Sequence, residues 1–207
     1  MIKIINFKTY KQGRKVLELA EIIERIDKNI IVGVQATDIK EISDKTNLKV
    51  YAQHVDYFEQ GRNTGFIIPE SVKSNGAEGT FLNHSEHRLK LDVIKKTIKR
   101  CKKVKLKTAV FASDLNEAKK IEKLNPDFLI IEPPELIAGK ISVSSAKPEL
   151  IKKISKSLKM KFLVGAGIHS RKDVRVALEL GASGIAVSSS IMKSNNPAIE
   201  LRKLILN

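Results

Sequence analysis

Polar side chains that can hold or transfer a proton follow three short apolar runs of this sequence. Lys8 comes shortly after the first run, His84 follows a later one, and Glu132 comes directly after a third. A carboxylate at the end of a buried apolar segment is partly removed from water, which raises its proton affinity and suits it to act as a general base. A helix cap or a surface salt bridge would use the same residue type, so Glu132 alone leaves both interpretations open.

His84 is expected to be a neutral hydrogen-bond donor. Asn83 and Glu86 have the spacing of a capping box, which predicts that His84 lies at the start of a helix. Because a helix N-terminus disfavours the imidazolium form, His84 should be uncharged. His84 and His87 also have a spacing that would suit a metal pair, but no third ligand is evident and no metal is expected.

Two loops of small residues predict a phosphate site. One loop contains Gly165 and Gly167, and the other contains Ser188 and Ser189. Small residues let backbone N–H groups approach an anion closely, and a helix N-terminus adds a favourable dipole. Glycine and serine also simply make tight turns, so either loop alone is ambiguous.

The elements that must position these residues alternate between two patterns. Short apolar runs, typical of parallel strands buried on both faces, are followed by Lys/Glu-rich stretches with apolar residues at helical spacing. The runs are Ile2–Asn6, Ile30–Val34, Lys49–Ala52, Gly79–Leu82, Lys107–Phe111, Phe128–Ile131, Lys161–Val164 and Gly184–Val187. Eight repeats predict a closed (β/α)₈ barrel of the α/β class, with an open doubly wound sheet as the alternative. The chain is short for a barrel, so the helices around residues 38–44 and 69–75 should be brief or missing.

In such a barrel the polar residues meet at one rim. Active sites lie at the carboxyl ends of the strands, and the loops after the seventh and eighth strands are the usual place for phosphate. Asn6, Lys8, His84 and Glu132 follow the first, fourth and sixth runs, and the small-residue loops follow the seventh and eighth. The topology therefore predicts a cation, an imidazole and a carboxylate close to a phosphate site.

The composition is that of one globular domain over residues 1–207. Hydrophobic residues make up 42% and charged residues 29%, which excludes a mainly disordered chain. Cys101 is the single cysteine, so an intrachain disulfide is excluded, and its place on an apolar helix stripe predicts an inert core thiol. The sequence has neither an apolar run of the ~20 residues that a membrane span needs nor the layout of a signal peptide. We therefore expect a cytoplasmic protein without a membrane partner.

The basic charge is interpreted mainly as solvated helix surface. The chain has 38 Lys and Arg against 23 Asp and Glu, for a net charge of +15. A nucleic-acid-binding protein would also be basic, but only 5% of the residues are aromatic and Trp is absent, which is poor material for base stacking. We expect no specific nucleic-acid partner.

Five motifs occur in one order along nearly the whole chain, each after the appropriate run. They are residues 6–10 (NFKTY), 83–86 (NHSE), 132–137 (EPPELI), 165–168 (GAGI) and 184–189 (GIAVSS). Together they resemble the motifs of triosephosphate isomerases, and specifically of the short archaeal members of that family. Other phosphate-binding barrels, such as relatives of thiamine-phosphate synthase or indole-glycerol-phosphate synthase, share the glycine-rich late loops but lack the motifs at 83–86 and 132–134.

The resemblance implies a reaction and a role for each catalytic residue. Glu132 would remove a carbon-bound proton from dihydroxyacetone phosphate and return it to the neighbouring carbon, giving glyceraldehyde 3-phosphate. Neutral His84 would polarise the substrate oxygens and move protons between them, and Lys8 would place a positive charge beside the enediolate. Asn6 would orient Lys8 and the substrate. The family needs no metal or organic cofactor, because the substrate's own carbonyl is the electron sink.

The resemblance also implies a lid, a phosphate cradle and an oligomer. Residues 133–140 are similar to the closing lid of the family, although Ala138-Gly139-Lys140 stands where Gly-Thr-Gly is common. The segment 53–66 (QHVDYFEQGRNTGF) is similar to the family's interface loop, which predicts a homo-oligomer, with a tetramer favoured over a dimer. His54 and His169 are interpreted as ordinary loop histidines. The residues expected to bind the substrate are Asn6, Lys8, Ile137, Ala138, Gly165, Gly167, Ser188 and Ser189.

Overall fold

The computed structural model describes residues 1–133 and 147–205. Its strands form a closed parallel barrel in which neighbours in the sheet are neighbours in the chain. The strands are β1 (Ile2–Asn6), β2 (Ile31–Val34), β3 (Lys49–Ala52), β4 (Gly79–Leu82), β5 (Lys107–Ala112), β6 (Phe128–Ile131), β7 (Phe162–Val164) and β8 (Gly184–Val187). The predicted barrel is confirmed, and each predicted run lies within one residue of the observed strand at both ends.

Helices surround the barrel. They are α1 (Arg14–Ile26), α2 (Ile39–Lys45), α3 (Pro69–Ser74), α4 (Leu91–Lys103), α5 (Leu115–Glu122), α6 (Pro148–Ser157), α7 (Arg171–Glu179), α8 (Ser189–Met192) and α9 (Pro197–Ile205), with a 3-10 turn at Ala36–Asp38. The brevity predicted for α2 and α3 is confirmed. No helix within residues 1–133 and 147–205 is long and apolar enough to cross a membrane.

Two apolar cores explain why the strands appear in the sequence as continuous apolar runs. Alternate side chains point into the barrel, and the others pack against the helices, so both faces of each strand are buried. In β1, Ile4 belongs to the core inside the barrel and Ile5 to the core under the helices. The inner core is formed by Ile4, Ile31, Tyr51, Phe81, Ala109, Phe111, Ile130, Leu163 and Ala186.

The barrel closes where β1 pairs with β8. Ile2 lies opposite Gly184, and Ile5 lies opposite Val187. A Cβ added at position 184 would lie 2.1 Å from the carbonyl oxygen of Ile2, so the close approach of the two strands requires glycine there. This pairing brings the residues after the first strand beside those after the last.

The capping box predicted at Asn83 and Glu86 is wrong. Helix α4 begins at Leu91, and residues 84–90 form turns and irregular chain before it. The Asn83 side chain is occupied elsewhere, because its Nδ2 donates to the carbonyl of Phe111 at 2.9 Å and its Oδ1 accepts the N–H of Leu89 at 2.9 Å. His84 therefore does not lie at a helix N-terminus.

Candidate active site

A cavity at the carboxyl ends of the strands brings the predicted catalytic residues together. Lys8, His84 and Glu132 all line it, although they are far apart in the chain. The barrel requires this convergence, because parallel strands place all their carboxyl ends on one rim. The remaining lining residues are Asn6, Tyr10, Phe111, Ala166, Gly167, Ile168, His169, Ala186, Val187, Ser188, Ser189 and Ser190.

Glu132 is a buried carboxylate at the end of β6. Its backbone N–H donates to the carbonyl of Ala112 at 2.9 Å, which extends the strand ladder by one residue, and its side chain is only 12% exposed. Within the described residues, its Oε2 has no hydrogen-bond partner and lies 3.4 Å from Nε2 of His84. Burial raises the pKa of the Glu132 carboxyl to about 7, although the charge of Lys8 opposes the shift. The carboxylate therefore combines strong basicity with partial ionisation at neutral pH.

Gly165 lies behind Glu132. A Cβ at position 165 would lie 3.1 Å from Oε1 of Glu132 and 3.6 Å from its Cβ. The part of this loop that lines the cavity begins at Ala166. The structure thus places Gly165, which we predicted as a substrate-binding residue, against the Glu132 side chain and outside the lining of the cavity.

His84 is held as a neutral imidazole. The backbone N–H of Glu86 donates to its Nδ1 at 3.1 Å, so the ring proton belongs on Nε2. Burial lowers the pKa of His84 to about 4, and the nearby charge of Lys8 acts in the same direction. The expected neutrality is supported, but its cause is burial beside a cation and not the dipole of a helix. The ring also packs edge-on against Phe111, with centroids 4.7 Å apart.

Lys8 supplies a fixed cation on a strained backbone. Its φ is +48°, a left-handed conformation that residues with a side chain rarely adopt. Asn6 supports this turn, because its Oδ1 accepts the Lys8 N–H at 2.9 Å. The Lys8 ammonium is 2.8 Å from the Glu86 carboxylate, and its side chain is 14% exposed. The charge is thus held at the cavity without full solvation.

The predicted phosphate loops face the same cavity from β7 and β8. Ala166 and Gly167 are consecutive residues with positive φ, at 69° and 65°. Ser188 is the N-cap of the short helix α8, and Ser189 is its first residue. Gly167, Ser188 and Ser189 therefore lie where the sequence predicted, whereas Ile137, Ala138 and the rest of the predicted lid after Pro133 lie outside the described residues.

A second cavity of about 420 Å³ adjoins the first and shares Asn6, Lys8 and His84 with it. His54 and His87 line this cavity with their rings stacked at a centroid distance of 4.2 Å. His169 lines the first cavity. The interpretation of His54 and His169 as ordinary loop histidines stays a prediction. The described residues contain no cluster of three metal-ligating side chains, so the His84–His87 metal pair has no support there.

Gln53 is the site residue that sequence reasoning missed. It was assigned only to the polar segment 53–66, yet its amide donates to the carbonyl of Lys8 at 2.8 Å. Its position directly after β3, at the carboxyl rim of the barrel, is the signal that could have identified it.

The comparisons with known proteins match almost the whole chain. The family model described as triosephosphate isomerase matches residues 1–205. A triosephosphate isomerase from Methanocaldococcus jannaschii is 39% identical over 216 aligned residues, which cover 99% of each chain. One from Saccharolobus solfataricus is 44% identical over 206 residues, covering 95% of this chain and 91% of the relative. The chain belongs to the triosephosphate isomerase family.

The fold of the family is also found among solved structures. A crystal structure of triosephosphate isomerase from Bartonella henselae aligns with a TM-score of 0.74 and covers 97% of each chain. The two sequences are only 16% identical, so this likeness shows the barrel and not the chemistry. The family assignment rests on the family model and the archaeal relatives.

Proposed function

We propose that this chain is a triosephosphate isomerase, which interconverts dihydroxyacetone phosphate and D-glyceraldehyde 3-phosphate in glycolysis and gluconeogenesis. The observation that carries the proposal is the pairing of Glu132 with His84. A carboxyl with a pKa near 7 lies 3.4 Å from the protonated nitrogen of a neutral imidazole. This pair offers a base for a carbon acid and a hydrogen-bond donor for the adjacent oxygen.

In the proposed mechanism, Glu132 takes a proton from one carbon of the substrate, and the electrons of that C–H bond form an enediolate. His84 donates from Nε2 to the developing oxyanion and moves a proton between the two oxygens. Glu132 then returns its proton to the other carbon, so no external reactant is consumed. The Lys8 ammonium stabilises the negative charge that appears between these two transfers.

The phosphate group is proposed to bind at the opposite end of the cavity. The N–H groups of Gly167, Ser188 and Ser189 would bind its oxygens, and Asn6 would orient the reacting end of the substrate. The motif resemblance adds Ala138, next to Ile137, from the proposed lid. Gly165 would contribute indirectly, by leaving room for the Glu132 carboxylate.

We further propose a cytoplasmic homo-oligomer, with a tetramer favoured over a dimer. The segment 53–66 follows β3 and includes Phe66, a large apolar side chain that is 51% exposed. The resemblance of this segment to the interface loop of the family supports a contact between two copies of the chain. Light scattering tests this proposal: a stable species of about 23 kDa at working concentration would overturn it.

A coupled isomerase assay with glyceraldehyde 3-phosphate tests the function. We compare the parent with Glu132→Gln, which keeps the shape of the side chain and removes the base, and with Glu18→Gln on the surface of α1. We expect turnover in the parent and in Glu18→Gln, and a loss of roughly a thousandfold or more in Glu132→Gln. A folded parent without turnover would overturn the proposed function, and equal rates in all three proteins would remove Glu132 as the base.

A further inference from the structure

The backbone of Lys8 needs support from outside its own loop. A residue with a side chain in the left-handed region persists only where surrounding contacts hold it. Asn6 holds one side of the turn by accepting the Lys8 N–H. That bond is local and leaves the Lys8 carbonyl to be held by another group.

Gln53 holds the other side of the turn. Its Nε2 donates to the carbonyl of Lys8 at 2.8 Å and to the carbonyl of Gly33 at 3.2 Å, and it lies 3.4 Å from Oδ1 of Asn6. A primary amide has two hydrogens, so both are used in the two shorter bonds. The peptide of Lys8 is therefore clamped at its N–H by Asn6 and at its C=O by Gln53.

The anchor of this clamp is the barrel itself. Gln53 follows β3 directly, and its backbone N–H donates to the carbonyl of Val34 at 3.0 Å, which continues the β2–β3 ladder. Gly33 lies in β2, and its carbonyl also accepts the N–H of Phe7, which follows β1. One side-chain amide thus connects the ends of three neighbouring strands to the turn that carries the cation.

We propose that Gln53 is a positioning residue that acts through Lys8: it fixes the backbone turn from which the ammonium reaches the cavity. This inference rests on the proposed function, because it assigns Lys8 the task of meeting the negative charge of the substrate. Gln53 lines the second cavity and not the first, so it acts without touching the reacting atoms.

A double-mutant cycle separates this role from a general structural one. Gln53→Met keeps the length of the side chain and removes both donors, and Lys8→Met removes the cation. The readout is the dissociation constant of 2-phosphoglycolate, whose carboxylate imitates the charge of an enediolate, measured by calorimetry in the parent, both single variants and the double variant. Gln35→Met is the matched control, since Gln35 lines the same second cavity.

If Gln53 acts through Lys8, its loss matters only while Lys8 is present. We expect Gln53→Met to weaken binding on the order of tenfold in the parent, but by less than about twofold in the Lys8→Met background. The control Gln35→Met should have little effect on binding. The acid limb of kcat/KM should also move to higher pH in Gln53→Met, because the charge of Lys8 lowers the pKa of Glu132 in the parent. A merely structural defect would weaken binding equally with and without Lys8, and it would leave the pH profile unchanged.

Two results would overturn the proposal. Gln53→Met would cause the same loss of affinity for 2-phosphoglycolate with and without Lys8, or it would cause no loss in either protein. If Gln53→Met fails to fold by circular dichroism, Gln53→Asn replaces it, because it keeps the donors but withdraws them by one methylene group. A folded parent that binds the anion but does not isomerise triose phosphate would instead refute the proposed function, and the binding cycle would still report on the clamp.

Discussion

The backbone N–H of Glu86 points at Nδ1 of His84 across 3.1 Å, which makes that ring nitrogen a hydrogen-bond acceptor. The other ring nitrogen then carries the proton and lies 3.4 Å from the carboxylate of Glu132. A two-residue turn thereby sets the tautomer that the proposed reaction needs. The same turn holds the Glu86 carboxylate 2.8 Å from the Lys8 ammonium.

This tautomer can be observed directly by ¹⁵N NMR of labelled protein. We expect His84 to show an unprotonated Nδ1 and a protonated Nε2 at pH 7, without titrating until the pH approaches 4, because burial and Lys8 lower its pKa to about 4. The spectrum of His84→Gln assigns the signal. An imidazolium at pH 6 would contradict the geometry described above.

The pH dependence of kcat/KM should report Glu132. Because burial raises the pKa of its carboxyl to about 7, the active carboxylate form decreases as the pH falls through 7. We expect kcat/KM to decrease tenfold per pH unit below that point, as for a single essential base. Rates followed from pH 5 to 9 provide the test, and an acid limb centred near 4.5, the ordinary value for glutamate, would refute it.

The same raised pKa predicts that Glu132→Gln stabilises the fold at neutral and alkaline pH. The folded protein binds the Glu132 proton more tightly than the unfolded chain does, so stability decreases as the pH rises from 4.5 to about 7. A shift of this size corresponds to about 3 kcal/mol of unfolding free energy at pH 8, which Glu132→Gln should recover.

Urea unfolding at pH 8 and pH 4 measures this effect. The gain should be present at pH 8 and absent at pH 4, where the parent carboxyl is already neutral. Glu18→Gln, on the exposed face of α1, should leave stability within about 0.5 kcal/mol at both pH values. A Glu132→Gln variant that is less stable than the parent at pH 8 would reverse the predicted sign.

Gly165→Ala should impair catalysis without unfolding the barrel. Gly165 is not among the glycines with positive φ, so the backbone accepts alanine, but the added Cβ would lie 3.1 Å from Oε1 of Glu132. Displacing a base by a fraction of an ångström costs roughly 10- to 100-fold in kcat. Inorganic phosphate, which binds away from Glu132 in the proposed site, should inhibit the variant and the parent equally. Unchanged kcat would show that the carboxylate has room to move.

Arg100→Met should loosen the segment 53–66. Arg100 is a buried charge of α4 that donates to the carbonyl of Phe58 at 3.3 Å and pairs with the carboxylate of Glu70. Burial raises the pKa of Glu70, but its hydrogen bond to Arg100 contributes to a net lowering, so the pair is held together by charge. Removing the guanidinium leaves a partly buried carboxylate without its cation and should cost about 2 kcal/mol.

Hydrogen exchange and light scattering test that prediction together. Amides of residues 56–67 should exchange faster in Arg100→Met, and the proposed oligomer should dissociate at a higher protein concentration. Lys99→Met, on the exposed face of the same helix, is the control. Equal exchange in the two variants would mean that Arg100 does not hold the segment.

The rim of the site could be predicted because the barrel topology requires it. Strands such as Phe128–Ile131 are buried on both faces, so they appear in the sequence as continuous apolar runs that are easily delimited. Once the strands are placed, the residues after them must converge. Glu132 and Lys8 follow from that rule, as does the rise in the pKa of a carboxylate that ends a buried strand.

The contacts that hold the site depend on partners distant in sequence. Asn83 and Glu86 have the local spacing of a capping box, but Phe111 and Leu89 bind the Asn83 side chain instead. Arg100 lies in a run of lysines, a pattern that predicts a solvated helix face. In the structure it is buried, because it contacts the carbonyl of Phe58 and the carboxylate of Glu70. Such pairings arise from packing between elements, which local periodicity does not encode.

The pairing of β1 with β8 determines when during synthesis the enzyme can exist. Ile2–Asn6 leaves the ribosome well before its barrel partner Gly184–Val187, because six other strands lie between them in the chain. Until then, one edge of the first strand presents unpaired backbone groups that can associate with other chains. Lys8 and Ser188 follow these two strands, so the nascent chain completes the proposed catalytic rim and covers the open edge of β1 in the same step.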